Sequence, residues 1–181
     1  MAVRIVAVAV LVSLAAASSA YAQDPGPRTV DVRFVPGLVG QGGVFGDDSP
    51  EAAETTTAFT LGFQVRTANT RRTGFSLELT LQPIGVRNPH FDESLHSLYV
   101  LAGAEIGRRT YVRPAAGVAL QMFSGTFAAG PSVGLAVGVG VGHRRPVADR
   151  MDVGVEFTAA TSASPGVGHW MMGVQVPIGW R

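Results

Sequence analysis

Apolar residues recur at every second position in run after run of this sequence, and helical periodicity appears nowhere with comparable strength. The clearest run sets Phe75, Leu77, Leu79 and Leu81 against Ser76, Glu78, Thr80 and Gln82. A second sets Phe59, Leu61, Phe63 and Val65 against Thr60, Gly62, Gln64 and Arg66. A third sets Val133, Leu135, Val137, Val139 and Val141 against glycine and alanine. A period of two belongs to a strand with one apolar face. The chain is therefore expected to be all-β.

Scored this way, the sequence predicts strands over Thr29–Val39, Thr57–Arg66, Gly74–Pro83, Ser97–Ile106, Thr110–Gln121, Ser132–Gly142, Asp152–Ala160 and Trp170–Trp180. Most approach the length of roughly 9–11 residues that a tilted strand needs to cross hydrocarbon. The connections alternate. Thr67–Thr73, Gly107–Arg109 and His143–Met151 read as tight or polar turns, whereas Gly40–Thr56, Ile84–His96, Met122–Pro131 and Thr161–His169 read as mostly longer loops. Short turns at one end and long loops at the other are the pattern of outer-membrane barrels. Each short turn carries a pair of arginines, Arg71-Arg72, Arg108-Arg109 and Arg144-Arg145. They are read as solvated turn charge, with contact to lipid phosphate as the sharper alternative.

The first residues read as a processing signal. Met1 to Arg4 is a short positive region, Ile5 to Ala17 an apolar run, and Ala20-Tyr21-Ala22 a small-x-small cleavage pattern. The expectation is a signal peptide over residues 1–22 and a single barrel domain over 23–181. There is no cysteine, so an exported chain of this kind must gain stability from backbone pairing and burial instead of disulfides. The net charge of +1, with arginine the only basic residue, gives no basic face for nucleic acid.

In hydrocarbon every backbone donor and acceptor must be paired within the protein, so a strand spans a membrane only as part of a closed barrel. Such a wall is apolar outside, and its interior tolerates charge. Asp31, Arg33, Arg66, Glu78, Glu105, Arg113, Asp152 and Glu156 all fall on the polar phase of their strands, which predicts an inward-facing, mutually paired network. With eight strands the interior is only wide enough to be filled by side chains. Gly134, Gly138, Gly140 and Gly142, on the inward phase of one strand, are expected to make room for larger side chains or strand curvature. An aromatic girdle is expected from Phe59, Phe91, Tyr99, Phe123, Phe157 and Trp170 at the outer ends, and from Phe75, Tyr111 and Trp180 at the inner ends.

At the carboxyl end, Trp170, Met172, Val174, Val176, Ile178 and Trp180 alternate down to an aromatic one residue before Arg181. This resembles the closing strand of outer-membrane barrels. The whole mature chain is similar to small eight-stranded barrels of the OmpA, OmpX and opacity-protein kind. The resemblance implies an eight-stranded antiparallel up-and-down transmembrane β-barrel, located in the cell outer membrane and monomeric. Its partners would be outer-membrane lipids and the barrel-assembly machinery, which would read Trp180 as part of a terminal signal.

No catalytic, cofactor or metal site is expected. His96-Ser97 with Glu105 is the nearest approach to the His, Ser and Glu set of some lipid-A-modifying barrels, but Glu105 and Ser97 share the inward phase. His90 and His96, with Asp92 and Glu93, lack the ligand spacing of a zinc site. Gly138-Val139-Gly140-Val141-Gly142 is followed by a basic turn instead of the helix a dinucleotide loop requires. The expected role is structural or surface-interactive, through the long loops. The alternatives are a narrow channel or carrier for small solutes, a lipid-modifying enzyme, and a soluble lipocalin-like carrier with its apolar face inward.

Overall fold

A computed structural model describes residues 29–45, 51–52, 55–68, 73–82, 86–88, 93–125 and 130–180. The strands in chain order are β1 (Thr29–Phe45), β2 (Glu51–Ala52), β3 (Thr56–Ala68), β4 (Thr73–Leu81), β5 (Val86–Asn88), β6 (Glu93–Gly107), β7 (Thr110–Gly125), β8 (Ser132–Ala148), β9 (Met151–Ser164), β10 (Val167–Gln175) and β11 (Ile178–Trp180). β10 and β11 are one wall strand. The same register against β1 and β9 runs through both, and Pro177, which has no N–H to give, only interrupts the ladder. At the break Val176 N–H donates to Pro36 O at 2.8 Å, and Gly154 N–H to Pro177 O at 2.8 Å.

Counted so, eight antiparallel strands close into a barrel, each beside its chain neighbour and β1 pairing with both β3 and β10. Following the pairing from Arg145 through Val153, Ile178, Phe34, Phe63, Leu79, Val100 and Val118 returns to β8 at Leu135, a shear of ten residues. With eight strands that shear implies a tilt of about 40° to the barrel axis.

The alternation read from the sequence becomes a two-sided wall. Val32, Leu38, Phe63, Leu77, Leu79, Val118, Val139, Val155, Met172 and Val174 are among the large apolar side chains exposed on the outside. The lipocalin-like arrangement, with the apolar face turned inward, is therefore overturned.

The strands outrun their predicted ends, chiefly on the long-loop side. β1 continues to Phe45, β6 begins at Glu93, β7 reaches Gly125 and β9 reaches Ser164. The apolar alternation fades there while backbone pairing continues, so periodicity alone could not find those ends. Two predicted connections are corrected. Thr161–His169 is no loop: Pro165 and Gly166 form the whole connection between β9 and β10, with Gly166 at φ +72°. Proline then glycine at the two central positions is the pairing a type II turn takes. His143–Met151 is likewise mostly strand, because β8 runs to Ala148 and only Asp149 and Arg150 turn the chain. Arg71-Arg72 lie outside the described residues.

Candidate functional site: the filled lumen

All eight charged residues expected inside are buried, none more than 5% exposed. They arrive from β1, β3, β4, β6, β7 and β9, and the closure of the wall brings them together. At the short-turn end Glu105 is the hub, with ion pairs to Arg33 at 3.6 Å, Arg66 at 3.0 Å and Arg144 at 2.5 Å. Arg66 also reaches Asp31 at 3.6 Å and Arg33 reaches Asp152 at 3.8 Å. Three guanidinium groups thus face three carboxylates. Next to them Arg113 bridges Glu78 and Glu156, at 2.5 Å each. Gln64 connects the two groups: its Oε1 accepts from Arg33 at 3.4 Å and its Nε2 donates to Glu78 at 3.4 Å. Thr80 donates to Glu78 at 2.7 Å and Tyr111 to Glu156 at 2.7 Å.

Arg144, Tyr99 and Tyr111 correct the sequence reading. Arg144 was expected in a solvated turn, but it lies on the inward phase of β8, paired with Glu105 and 5.0 Å from the Tyr111 ring centroid. The sequence signal was parity: Arg144 continues the series Gly138, Gly140, Gly142. Tyr99 and Tyr111, girdle residues by the sequence reading, are both inside, at 0% and 2% exposure. Their hydroxyls find partners there, as buried tyrosines require. Trp170, Trp180, Phe59 and Phe157 do face outward, although Phe157 falls in the middle of β9 and so is a wall residue. Phe91 lies outside the described residues.

Two of the four glycines singled out in β8 adjoin the network. A Cβ on Gly140 would collide with the Glu156 carboxylate, and one on Gly142 would lie 2.6 Å from the Tyr111 hydroxyl. At Gly138 the neighbours include Leu101, and at Gly134 they are backbone atoms of β9.

Beyond the charged half the filling changes character. Val39, Ala58, Tyr99, Leu101, Ala115, Ala119, Ala136, Ala160 and Met171 form an apolar plug. Neutral polar side chains lie towards the long-loop end. Tyr99 Oη is 2.6 Å from His169 Nδ1 and 3.3 Å from Ser162, and Gln121 donates to Ser162 at 3.2 Å. Exposure falls to 0% at Val86 on β5 and at Leu95, its partner on β6.

The residues weighed for catalysis do not assemble. Ser97 is buried in the lumen, while His96, on the opposite phase, lies 3.3 Å from the Ser124 hydroxyl. Glu105 is eight residues further along β6, roughly 26 Å at strand spacing. His90 and Asp92 lie outside the described residues, and among the described residues no group of three or more His, Cys, Asp or Glu side chains could hold a metal.

The fold is that of the small outer-membrane β-barrels. Neisserial surface protein A superposes with a TM-score of 0.53 at 12% identity, covering 84% of this chain and 99% of that one. Ail, the attachment invasion locus protein of Yersinia pestis, gives 0.55 at 12% identity, covering 83% and 98%. A second Ail structure, in complex with the heparin analogue sucrose octasulfate, gives 0.52 at 13% identity, covering 83% and 99%. No protein-family model matches the sequence, and no curated protein matches it significantly.

Proposed function

We propose that this protein is exported by a cleaved leader, resides in the outer membrane as a monomeric barrel, and serves a structural or surface-interactive role there, with the wall as framework and the long-loop end as contact surface. The observation that carries this reading is a wall apolar outside and a lumen filled by paired charges, an apolar plug and hydrogen-bonded amides. A filled interior favours a framework over a solute path.

The dimensions support the location. Trp170 and Trp180 are ten residues apart on one outward face, with only Met172, Val174, Val176 and Ile178 on that face between them. At about 3.3 Å per residue and a tilt of about 40°, they are separated by about 25 Å along the axis, the height of an outer-membrane apolar band. Trp rings belong at headgroup depth. The roles of Trp180 in a carboxyl-terminal assembly signal and of Trp170 in an upper girdle are part of this proposal.

The test is reconstitution of the mature chain into lipid vesicles, followed by swelling in small sugars and single-channel recording. The expected result is insertion without solute-specific flux. Steady conductance from the unaltered protein would reverse the choice in favour of the channel.

A further inference from the structure

The outward phase of β8 is interrupted by two polar residues before the ladder loses register at Pro146 and Val147 is exposed. From Val133 to Val141 it is apolar, and then come His143 and Arg145, both exposed. The network in the lumen uses neither of them. His143 Nδ1 lies 2.9 Å from the Thr110 hydroxyl on β7, which holds the ring against the wall. The adjoining turn carries Arg108 and Arg109, both exposed, and Arg109 O accepts from Arg144 N–H at 2.8 Å, so the turn is tied to β8 beside Arg145. Two wall strands away, Trp180 is exposed at the same end of the barrel.

We propose that Arg145, His143, Thr110 and the Arg108-Arg109 turn form a binding site for the phosphate headgroup of an anionic phospholipid in the inner leaflet of the outer membrane. The inference rests on the membrane reading above. Its argument is charge and depth. Arg145 projects outward two residues beyond His143, where the apolar band ends and lipid phosphates lie. A guanidinium can donate bidentately to a phosphate. Thr110 and His143 add hydroxyl and imidazole on the same face. The described part of the patch holds no carboxylate on that outward phase, since its neighbours on β9 are Val153 and Val155. Arg150, by contrast, sits in the turn beyond the end of the wall and serves as the internal control.

The experiment places the mature chain in phosphatidylcholine vesicles containing a minor fraction of phosphatidylglycerol, and reads with spin-labelled lipids how much of each is motionally restricted by the protein. Phosphatidylglycerol should be preferred over phosphatidylcholine. Arg145→Gln should lower that preference by about tenfold, the worth of one hydrogen bond to a charged group. Arg150→Gln should leave it unchanged. Equal restriction of the two lipids by the unaltered chain would overturn the site, and so would equal losses in the two variants, which would mark diffuse surface charge. Failure of the chain to enter the vesicles at all, seen by flotation, would instead bring down the membrane reading and this site with it.

Discussion

Tyr111 and Gly142 face one another across the β7–β8 ladder, and the tyrosine ring occupies the volume that a side chain on Gly142 would need. The ring stays there because its hydroxyl donates to Glu156 at 2.7 Å and Arg144 packs against it. A substitution at Gly142 must therefore move a side chain that belongs to the buried network. Gly142→Ala is expected to destabilise the barrel by about 1–3 kcal/mol, as overpacking does. Gly130→Ala, where a Cβ would meet nothing within 4 Å, is expected within about 0.5 kcal/mol of the parent. Urea unfolding in vesicles or detergent, followed by tryptophan fluorescence, measures both.

Arg113 is the only cation bonded to both Glu78 and Glu156 among the described residues. Arg113→Leu leaves two buried carboxylates without it and should cost about 3–5 kcal/mol, the range for breaking a buried pair from one side. Arg145→Gln, on the exposed face of β8, should unfold within about 0.5 kcal/mol of the parent. Comparable losses in the two variants would show that the lumen network carries no special share of the stability.

Depth decides what the outer wall tolerates. Val174 faces outward between the two tryptophans and Val30 faces outward near the short-turn end, at 46% and 56% exposure. Val174→Arg should destabilise the inserted barrel by about 2–4 kcal/mol and Val30→Arg by about 0–1 kcal/mol. The same unfolding experiment in vesicles reads the difference. A soluble protein would treat the two alike, so equal effects would contradict the membrane location.

The Pro165-Gly166 turn makes a local prediction. Gly166 has φ +72°, a region that residues with a Cβ enter only at a cost. Gly166→Ala should lower stability by about 1 kcal/mol and leave the barrel assembled, so unfolding shifts while the far-ultraviolet circular dichroism of the folded state is unchanged. A change in that spectrum would mean the β9–β10 pairing depends on the turn.

The sequence by itself determined the all-β class, eight wall strands, their up-and-down order and the side of the wall that eight of the nine networked charges occupy; Arg144, read as turn charge, was the exception. Those properties follow from a period of two, and shifting a strand by one residue would send its carboxylates into the apolar face, so the phase carries its own proof. That is why the phase alone puts Asp31, Arg33, Arg66, Glu78, Glu105, Arg113, Asp152 and Glu156 in the interior. The tertiary structure alone decided who meets whom. Glu105 gathers Arg33, Arg66 and Arg144 from three other strands, and those contacts depend on a shear of ten residues that no single strand encodes. Tyr99 shares the parity of Glu105 and Tyr111 that of Arg113, so their inward place was already legible in the phase, although an amphipathic ring suits a headgroup boundary as well as a polar lumen. The tertiary structure also decided where the strands end, because outside the apolar band backbone pairing continues without any hydrophobic pattern to mark it.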